Sequence, residues 1–141
     1  MKSKNLILFF FILIPILILS QENIIDKKEK KYLHHYFLAE KYKVLDEVEK
    51  AKLQYEICIK ENPKESAPFY ELSKISLSRG EFNKAKEYII DAKNIDPQNI
   101  WYLYLLIEIY NETYEIENQA EIWEDLIKIN PENKLYHFEA I

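Results

Sequence analysis

Apolar residues recur at steps of three and four positions along most of the chain after residue 30. In the clearest stretch, Phe69, Leu72 and Ile75 form one series, and a second series begins at Phe82. This spacing places apolar side chains on one stripe of a helix, which turns once every ~3.6 residues. Gly80 separates the two series, and glycine readily takes the left-handed conformation that ends helices. The pattern therefore predicts two amphipathic helices joined by a short turn.

The pair of helices repeats along the chain with a period of 34 residues. Three dipeptides keep this spacing, Asn62–Pro63, Asp96–Pro97 and Asn130–Pro131, and each marks a helix end because proline disfavours helix in the preceding residue. Such a period is typical of an array of helical hairpins. We expect repeat units at 32–65, 66–99 and 100–133, with a partial unit at 134–141. The residues that suit helix N-caps are Asn99, Asn133 and Ser66.

Within each unit the large and small residues also keep fixed positions, counted here from Tyr32. Leucine stands at position 7, a small or apolar residue at position 8, an aromatic or serine at position 11, and proline at position 32. The columns include Leu38, Leu72 and Leu106; Ala51 and Ala85; and Tyr36, Tyr70, Tyr104 and Phe138. In this pattern the chain resembles the tetratricopeptide repeat (TPR) family over residues 32–141. The resemblance implies an all-α fold, a right-handed α-solenoid of antiparallel helical hairpins, with about three full repeats and the start of a fourth.

The third unit departs furthest from this family pattern. Gln119 replaces the small residue at position 20, and the large residues Ile107 and Leu126 stand at two other helix-crossing positions. Small residues at a crossing let two helices approach closely. We therefore expect the two helices of the third unit to cross less closely than those of the second.

The first twenty residues have the character of an export signal. Lys2 and Lys4 precede an apolar run from Leu6 to Leu19, which is short for a membrane-spanning helix and is interrupted by Pro15. We expect a signal peptide at 1–20, cleaved after Ser20, and a short charged linker at 21–31. The protein is then exported to the periplasm or cell envelope. The alternative is an uncleaved segment, with residues 6–19 as a membrane anchor.

Composition and charge exclude several classes of function. The net charge is −5 and Arg79 is the single arginine, so the chain lacks the basic surface of nucleic-acid-binding proteins. Cys58 is the single cysteine, which excludes an internal disulfide and a multi-thiolate metal site. It stands at the position of Ala92 in the next unit, so we expect a buried, inert thiol.

No constellation for catalysis or metal binding emerges from the sequence. His34 and His35 are adjacent, and neighbouring helical residues point about 100° apart rather than toward one metal ion. His35 and His137 occupy a packing position of the repeat. We therefore expect no enzyme activity, no metal, no cofactor and no small-molecule substrate.

The TPR resemblance implies a concave face lined by the first helix of each hairpin, at positions 2, 5, 9, 12 and 13. The expected partner-binding residues there are Leu33, Tyr36, Glu40, Lys43, Tyr70, Lys74, Trp101, Tyr104, Glu108, Asn111 and Phe138. Aromatic side chains with polar neighbours suit peptide recognition. The alternative is that the tyrosines only pack between hairpins. The face lacks the lysine and asparagine set with which related members bind chaperone tails.

Two functions fit these features. The first is a non-enzymatic protein–protein interaction scaffold of the cell envelope, which binds a peptide or partner protein on the concave face. The second is an N-terminal sensory or assembly module of a longer TPR-containing signalling protein, because the fourth unit breaks off after about two helical turns. Repeat arrays usually end in a helix with a polar outer face, and this one ends on isoleucine.

Overall fold

The computed structural model describes residues 26–140, and every regular element in that range is an α-helix. The predicted leader, the linker residues 21–25 and Ile141 lie outside the described residues. The helices are α1 (26–44 as described), α2 (Val48–Glu61), α3 (Ala67–Ser78), α4 (Phe82–Ile95), α5 (Ile100–Thr113), α6 (Ile116–Ile129) and α7 (Lys134–Glu139).

The helices form a linear array of hairpins. The pairs α1–α2, α3–α4 and α5–α6 are successive hairpins, and α7 begins a fourth. The second helix of each hairpin packs on the first helix of the next, as α2 does on α3, α4 on α5 and α6 on α7. The predicted all-α, TPR-like solenoid of three hairpins plus the start of a fourth is confirmed. In such an array each hairpin is stabilised mainly by its neighbours.

The two helices of the second hairpin pack closely on each other. At their crossing the buried Ser73 hydroxyl donates a hydrogen bond of 2.7 Å to the backbone carbonyl of Ala85. Only small side chains at both positions permit such a contact between one helix and the backbone of the other. In the third hairpin α5 and α6 contact each other less extensively than α3 and α4. This agrees with the expectation from Ile107, Gln119 and Leu126.

The core runs along the array as two groups of buried residues. A smaller group joins the first two hairpins and consists of Ala39, Ala51, Tyr55 and Leu72. A larger group extends from the second hairpin to α7, and its fully buried members include Ile89, Leu103 and Leu126. Cys58 is fully buried as predicted, and burial raises the pKa of its thiol to about 11.

The helix ends follow the sequence signals with one exception. The side chains of Asn99 and Asn133 accept hydrogen bonds from the backbone N–H groups of Trp101 and Leu135, so both predicted N-caps are confirmed. Ser66 precedes α3 but its hydroxyl makes no capping bond, so that prediction was wrong. The Ser66 hydroxyl instead accepts a hydrogen bond of 2.9 Å from the Tyr102 hydroxyl of the next unit. Its backbone is already helical, a conformation that does not suit a cap.

The first helix begins earlier than the repeat pattern indicated. Residues 26–31, which we expected within a charged linker, are helical and continuous with the rest of α1. Asp26 and Lys30 form an ion pair of 2.6 Å along the helix, and Lys31 pairs with Glu61 of α2. Such pairs and the helix propensity of lysine and glutamate favour this extension. None of the helices within 26–140 is long and apolar enough to cross a bilayer.

Candidate functional site

The first helices of successive units, α1, α3, α5 and α7, carry the predicted binding residues on one shared surface. We call this surface the first-helix face, meaning positions 2, 5, 6, 9, 12 and 13 of each unit. Contacts on this face and beside it join neighbouring first helices. Lys43 of α1 forms an ion pair of 3.1 Å with Glu71 of α3, and the hydroxyls of Tyr104 in α5 and Tyr136 in α7 are 2.8 Å apart.

Tyr36 of the aromatic column lies half-buried between other rings. Its ring stacks on Tyr32 with centroids 5.9 Å apart and meets the edge of Tyr55 at 6.1 Å. Burial raises the pKa of the Tyr36 hydroxyl, and the nearby Glu40 carboxylate adds to the effect. Tyr36 therefore packs within the first hairpin while part of its ring remains accessible.

Tyr70 contacts the next unit and a cation of its own helix. Its ring lies 5.2 Å from that of Tyr102, and the Lys74 ammonium sits 5.1 Å above its centroid. Burial raises the pKa of the Tyr70 hydroxyl, followed by the charges of Glu71 and Glu108. The ring is held between the second and third units with its lysine neighbour at the surface.

Tyr104 lies within an aromatic cluster at the C-terminal end of the array. Its ring centroid is 6.2 Å from Trp101, 6.4 Å from Trp123 and 6.4 Å from Tyr136. The hydrogen bond with the Tyr136 hydroxyl, together with burial, raises the pKa of Tyr104 to about 12. The fourth member of the predicted column, Phe138, is 74% exposed. The three tyrosines thus pack between helices, whereas Phe138 faces solvent.

The charged members of the face lie mainly on α1 and α3 and contact one another. Lys43 bridges Glu40 at 2.8 Å and Glu71 at 3.1 Å, and Lys74 lies 3.4 Å from Glu71. The buried Tyr55 donates its hydroxyl to Glu40 at 2.5 Å. Burial acts to raise the pKa of Glu40, but the hydrogen bonds from Lys43 and Tyr55 outweigh it and lower the pKa.

The remaining predicted residues differ in solvent exposure and in their contacts. Trp101 is 63% exposed and Leu33 is 40% exposed. Glu108 is exposed, and none of the ion pairs within 26–140 includes it. Asn111 accepts a hydrogen bond of 3.0 Å from the Gln119 amide across the hairpin turn. Leu33 also lines a cavity of about 680 Å³ between the start of α1 and the turn after α2.

Sequence reasoning overlooked the residues that hold the aromatic column in place. Tyr102 and Tyr136 are buried, and each packs on the column tyrosine of the preceding unit. They stand 34 residues apart at position 3, so the period itself carried the signal. Glu71 at position 6 was also overlooked. Its neighbours at that position are Phe37 and Leu105, so no column of like residues pointed to it.

His35 and His137 lie outside the first-helix face, and each contacts a neighbouring polar group. The Nδ1 atom of His35 is 2.7 Å from the Gln54 side-chain oxygen, and Nε2 of His137 is 2.8 Å from the Pro131 carbonyl. Residues 26–140 contain no group of three or more histidine, cysteine or acidic side chains arranged to hold a metal ion. The arrangement offers surfaces for contact, with side chains fixed by their neighbours.

No protein-family model matches the sequence, and no curated protein is significantly similar to it. Solved structures of low sequence identity share the fold. The TPR domain of Arabidopsis OM64 is 15% identical, with a TM-score of 0.67, over 79% of this chain and 93% of that domain. The first TPR of Spaghetti (RPAP3), bound to the HSP90 peptide SRMEEVD, is 14% identical, with a TM-score of 0.65, over 79% of this chain and 90% of that one.

An enzyme also contains a part with this fold. An O-GlcNAc transferase from Thermobaculum terrenum is 14% identical, with a TM-score of 0.65, over 80% of this chain but only 22% of that protein. The matched part is TPR-like. At such identities the likeness shows the fold alone. It establishes that the chain has a TPR-like architecture, and the partner must be argued from this chain's own surface.

Proposed function

We propose that the chain is a non-enzymatic scaffold that holds a peptide or a partner protein on its first-helix face. The observation that carries this proposal is the arrangement of that face. Tyr36, Tyr70 and Tyr104 are fixed by neighbouring rings, and exposed apolar side chains, Trp101 and Phe138, stand beside them. A surface whose aromatic residues are already ordered loses little conformational entropy when a partner binds.

The structural neighbours support the same class of function. The Spaghetti TPR binds an HSP90 peptide and has a closely similar architecture. The two chains are only 14% identical, and on the first-helix face of the present chain the acidic and basic residues of α1 and α3 pair with one another. We therefore propose a peptide or protein partner of a different kind from a chaperone tail.

The proposed site of action is the periplasm or cell envelope. This rests on the basic and apolar leader at 1–20. N-terminal sequencing of the protein isolated from its own cells tests it. A mature chain that begins at Gln21 supports export with cleavage. An intact start at Met1 with the protein in the membrane fraction supports the anchor formed by residues 6–19, and an intact start in the cytoplasm contradicts both.

Capture of partners by a surface variant tests the proposed function. Trp101→Ser combined with Phe138→Ser removes two exposed apolar side chains from the first-helix face, and their exposure means that folding should tolerate the change. We expect the full chain with these substitutions to melt within a few degrees of the parent and to lose the partners that the parent captures from its own cells.

A matched control lies at a hairpin turn of the same array. Tyr114 lies in the turn between α5 and α6, and Ile116 is the first residue of α6; their side chains are 88% and 73% exposed. The Tyr114→Ser, Ile116→Ser variant should keep the captured partners. Loss of the partners in this control, with retention in the face variant, would place binding elsewhere and refute the proposal.

A further inference from the structure

The first-helix face divides into two halves that differ in charge. In the N-terminal half, Glu40, Lys43, Glu71 and Lys74 form a chain of ion pairs across α1 and α3, with two acidic and two basic groups. The two positive charges neutralise the two negative ones, so this half offers little net attraction to a charged partner. Any charge preference of the face must come from the other half.

The C-terminal half carries acidic charge that the array does not neutralise. Helix α5 contains two ionisable acids, Glu108 and Glu112, and neither lysine nor arginine. Both side chains are exposed, one turn apart, and neither takes part in an ion pair within residues 26–140. Lys74, a cation of the neighbouring helix, is directed to Glu71 and to the Tyr70 ring instead.

The same helix presents a large exposed aromatic ring. Trp101 is 63% exposed, and its inner neighbour Tyr104 is anchored by the hydrogen bond to Tyr136. Apolar surface of this size on a rigid support is typical of binding hot spots. Phe138 of α7 stands at the repeat position that Tyr104 occupies in α5, and it adds a second exposed ring.

The distance between Trp101 and Glu108 along α5 indicates how far apart the matching side chains of a bound peptide should be. Trp101 and Glu108 are seven residues apart, close to two helical turns, so they lie on one side of α5 about 10 Å apart. A peptide in the extended polyproline II conformation advances about 3.1 Å per residue and makes one turn every three residues, so residues three positions apart lie on the same side and about 9 Å apart. Large apolar side chains match Trp101, and lysine or arginine matches Glu108 and Glu112.

We infer that the C-terminal half of the first-helix face binds an extended protein segment in which a large apolar residue and a lysine or arginine stand three residues apart. This inference rests on the proposed function and gives the partner its chemistry. The binding strip consists of Trp101, Tyr104, Glu108, Glu112 and Phe138. Because Glu108 and Glu112 make the strip acidic, it should repel an acidic peptide and attract a basic one.

Synthetic peptides and the full chain test the inference. The probe is a labelled, end-capped peptide of glycine and serine with one leucine and one lysine three positions apart, made in both orders. Two companion peptides carry glutamate in place of the lysine or serine in place of the leucine. Fluorescence anisotropy at low salt should give at least about tenfold tighter binding for the lysine peptide in one order than for either companion, and ~0.5 M salt should reduce the preference over glutamate.

Two variants assign the preference to α5. Glu108→Gln with Glu112→Gln should abolish the preference for lysine over glutamate. Glu121→Gln with Glu124→Gln removes two exposed charges from α6 and should leave it intact. Equal binding of the glutamate peptide, no saturable binding of the lysine peptide, or a preference that survives in the α5 variant would overturn the inference. If partner capture still depends on Trp101 and Phe138 in that case, the proposed function stands and only the peptide chemistry is wrong.

Discussion

A left-handed residue recurs at position 15 of each unit, at the turn between the two helices. Asp46, Gly80 and Tyr114 have φ values of 57°, 70° and 58°. In each turn the next residue donates its N–H to a carbonyl five positions earlier, as Glu81 does to Ser76 and Glu115 to Tyr110. Only the second unit uses glycine, so the backbone geometry of the turn is kept although the residue type changes.

Tyr114 is the least suited of these three residues to its conformation. A residue with a Cβ atom pays about 1–2 kcal/mol in the left-handed region, and the Tyr114 side chain is 88% exposed and contributes little packing. Glycine relieves this strain but also increases the conformational entropy of the unfolded chain, which offsets part of the gain. On balance Tyr114→Gly should raise the free energy of unfolding by about 0.5–1 kcal/mol. Thermal melting followed by circular dichroism measures it.

The reverse change at Gly80 provides the control. No heavy atom lies within 4 Å of the position that a Cβ atom would take at Gly80, so Gly80→Ala tests the backbone conformation without a steric clash. We expect it to destabilise by about 1 kcal/mol. If Tyr114→Gly lowers the melting temperature, the turn depends on the tyrosine side chain and the argument from φ fails.

At the scale of the helices, the N-caps differ in how much structure depends on them. Asn99 caps α5, which contributes much of the larger core group, whereas Asn133 caps the short α7 at the end of the described array. The cap at Asn99 should therefore contribute to the stability of the whole array, whereas the cap at Asn133 should affect only how α7 is held on α6. Repeat proteins allow this separation because each unit contacts only its neighbours.

Replacement of each cap by alanine should show this difference. Asn99→Ala should lower the free energy of unfolding by about 1 kcal/mol. Asn133→Ala should change the melting temperature less but accelerate hydrogen exchange of the α7 amides. The double variant Ser66→Ala, Tyr102→Phe removes both partners of a hydrogen bond and no cap, so it should be nearly neutral relative to the parent. Equal effects of the two asparagine variants on global melting would show that α7 unfolds together with α5.

At the scale of the whole molecule, ion pairs join adjacent hairpins. Asp125 of α6 accepts hydrogen bonds from Lys93 of α4 at 2.7 Å and from Lys128 at 2.9 Å. The hydrogen bond from Lys93 lowers the pKa of Asp125 in the folded protein more than burial raises it. Because the unfolded state binds the proton more readily, the contribution of Asp125 to stability is present above the ordinary aspartate pKa and is lost as the pH falls through the lowered one.

Asp125→Asn tests this pH dependence. At pH 7 the variant should have a free energy of unfolding roughly 0.5 kcal/mol lower than that of the parent. The effect is small because the ion pair is partly exposed and screened by solvent. The difference should shrink as the pH falls from about 5 to about 3. Asp91→Asn, an exposed residue of α4 outside the ion pairs found within 26–140, should show no such convergence. A difference that stays constant with pH would contradict the role of the Asp125 charge.

The periodic features of the molecule were predictable from the sequence, and the side-chain contacts between helices were not. The helix pairs, the turn at Gly80 and the caps at Asn99 and Asn133 each depend on a few neighbouring residues. The hydrogen bond from Tyr55 to Glu40 and the ion pair of Lys43 with Glu71 depend on how packed helices are rotated against each other. Tyr102 and Tyr136 could have been found, because both are tyrosines at position 3 of consecutive units.

Site-specific photo-crosslinking in the native cells tests the binding face most directly. A photoreactive phenylalanine analogue replaces Trp101 on the first-helix face in one form of the full chain and Ile116 at the start of α6 in another. Both positions are exposed, at 63% and 73%, so each form should fold like the parent. We predict a discrete crosslinked protein from position 101 and none from position 116. Crosslinking from position 116 alone would contradict partner binding on the first-helix face.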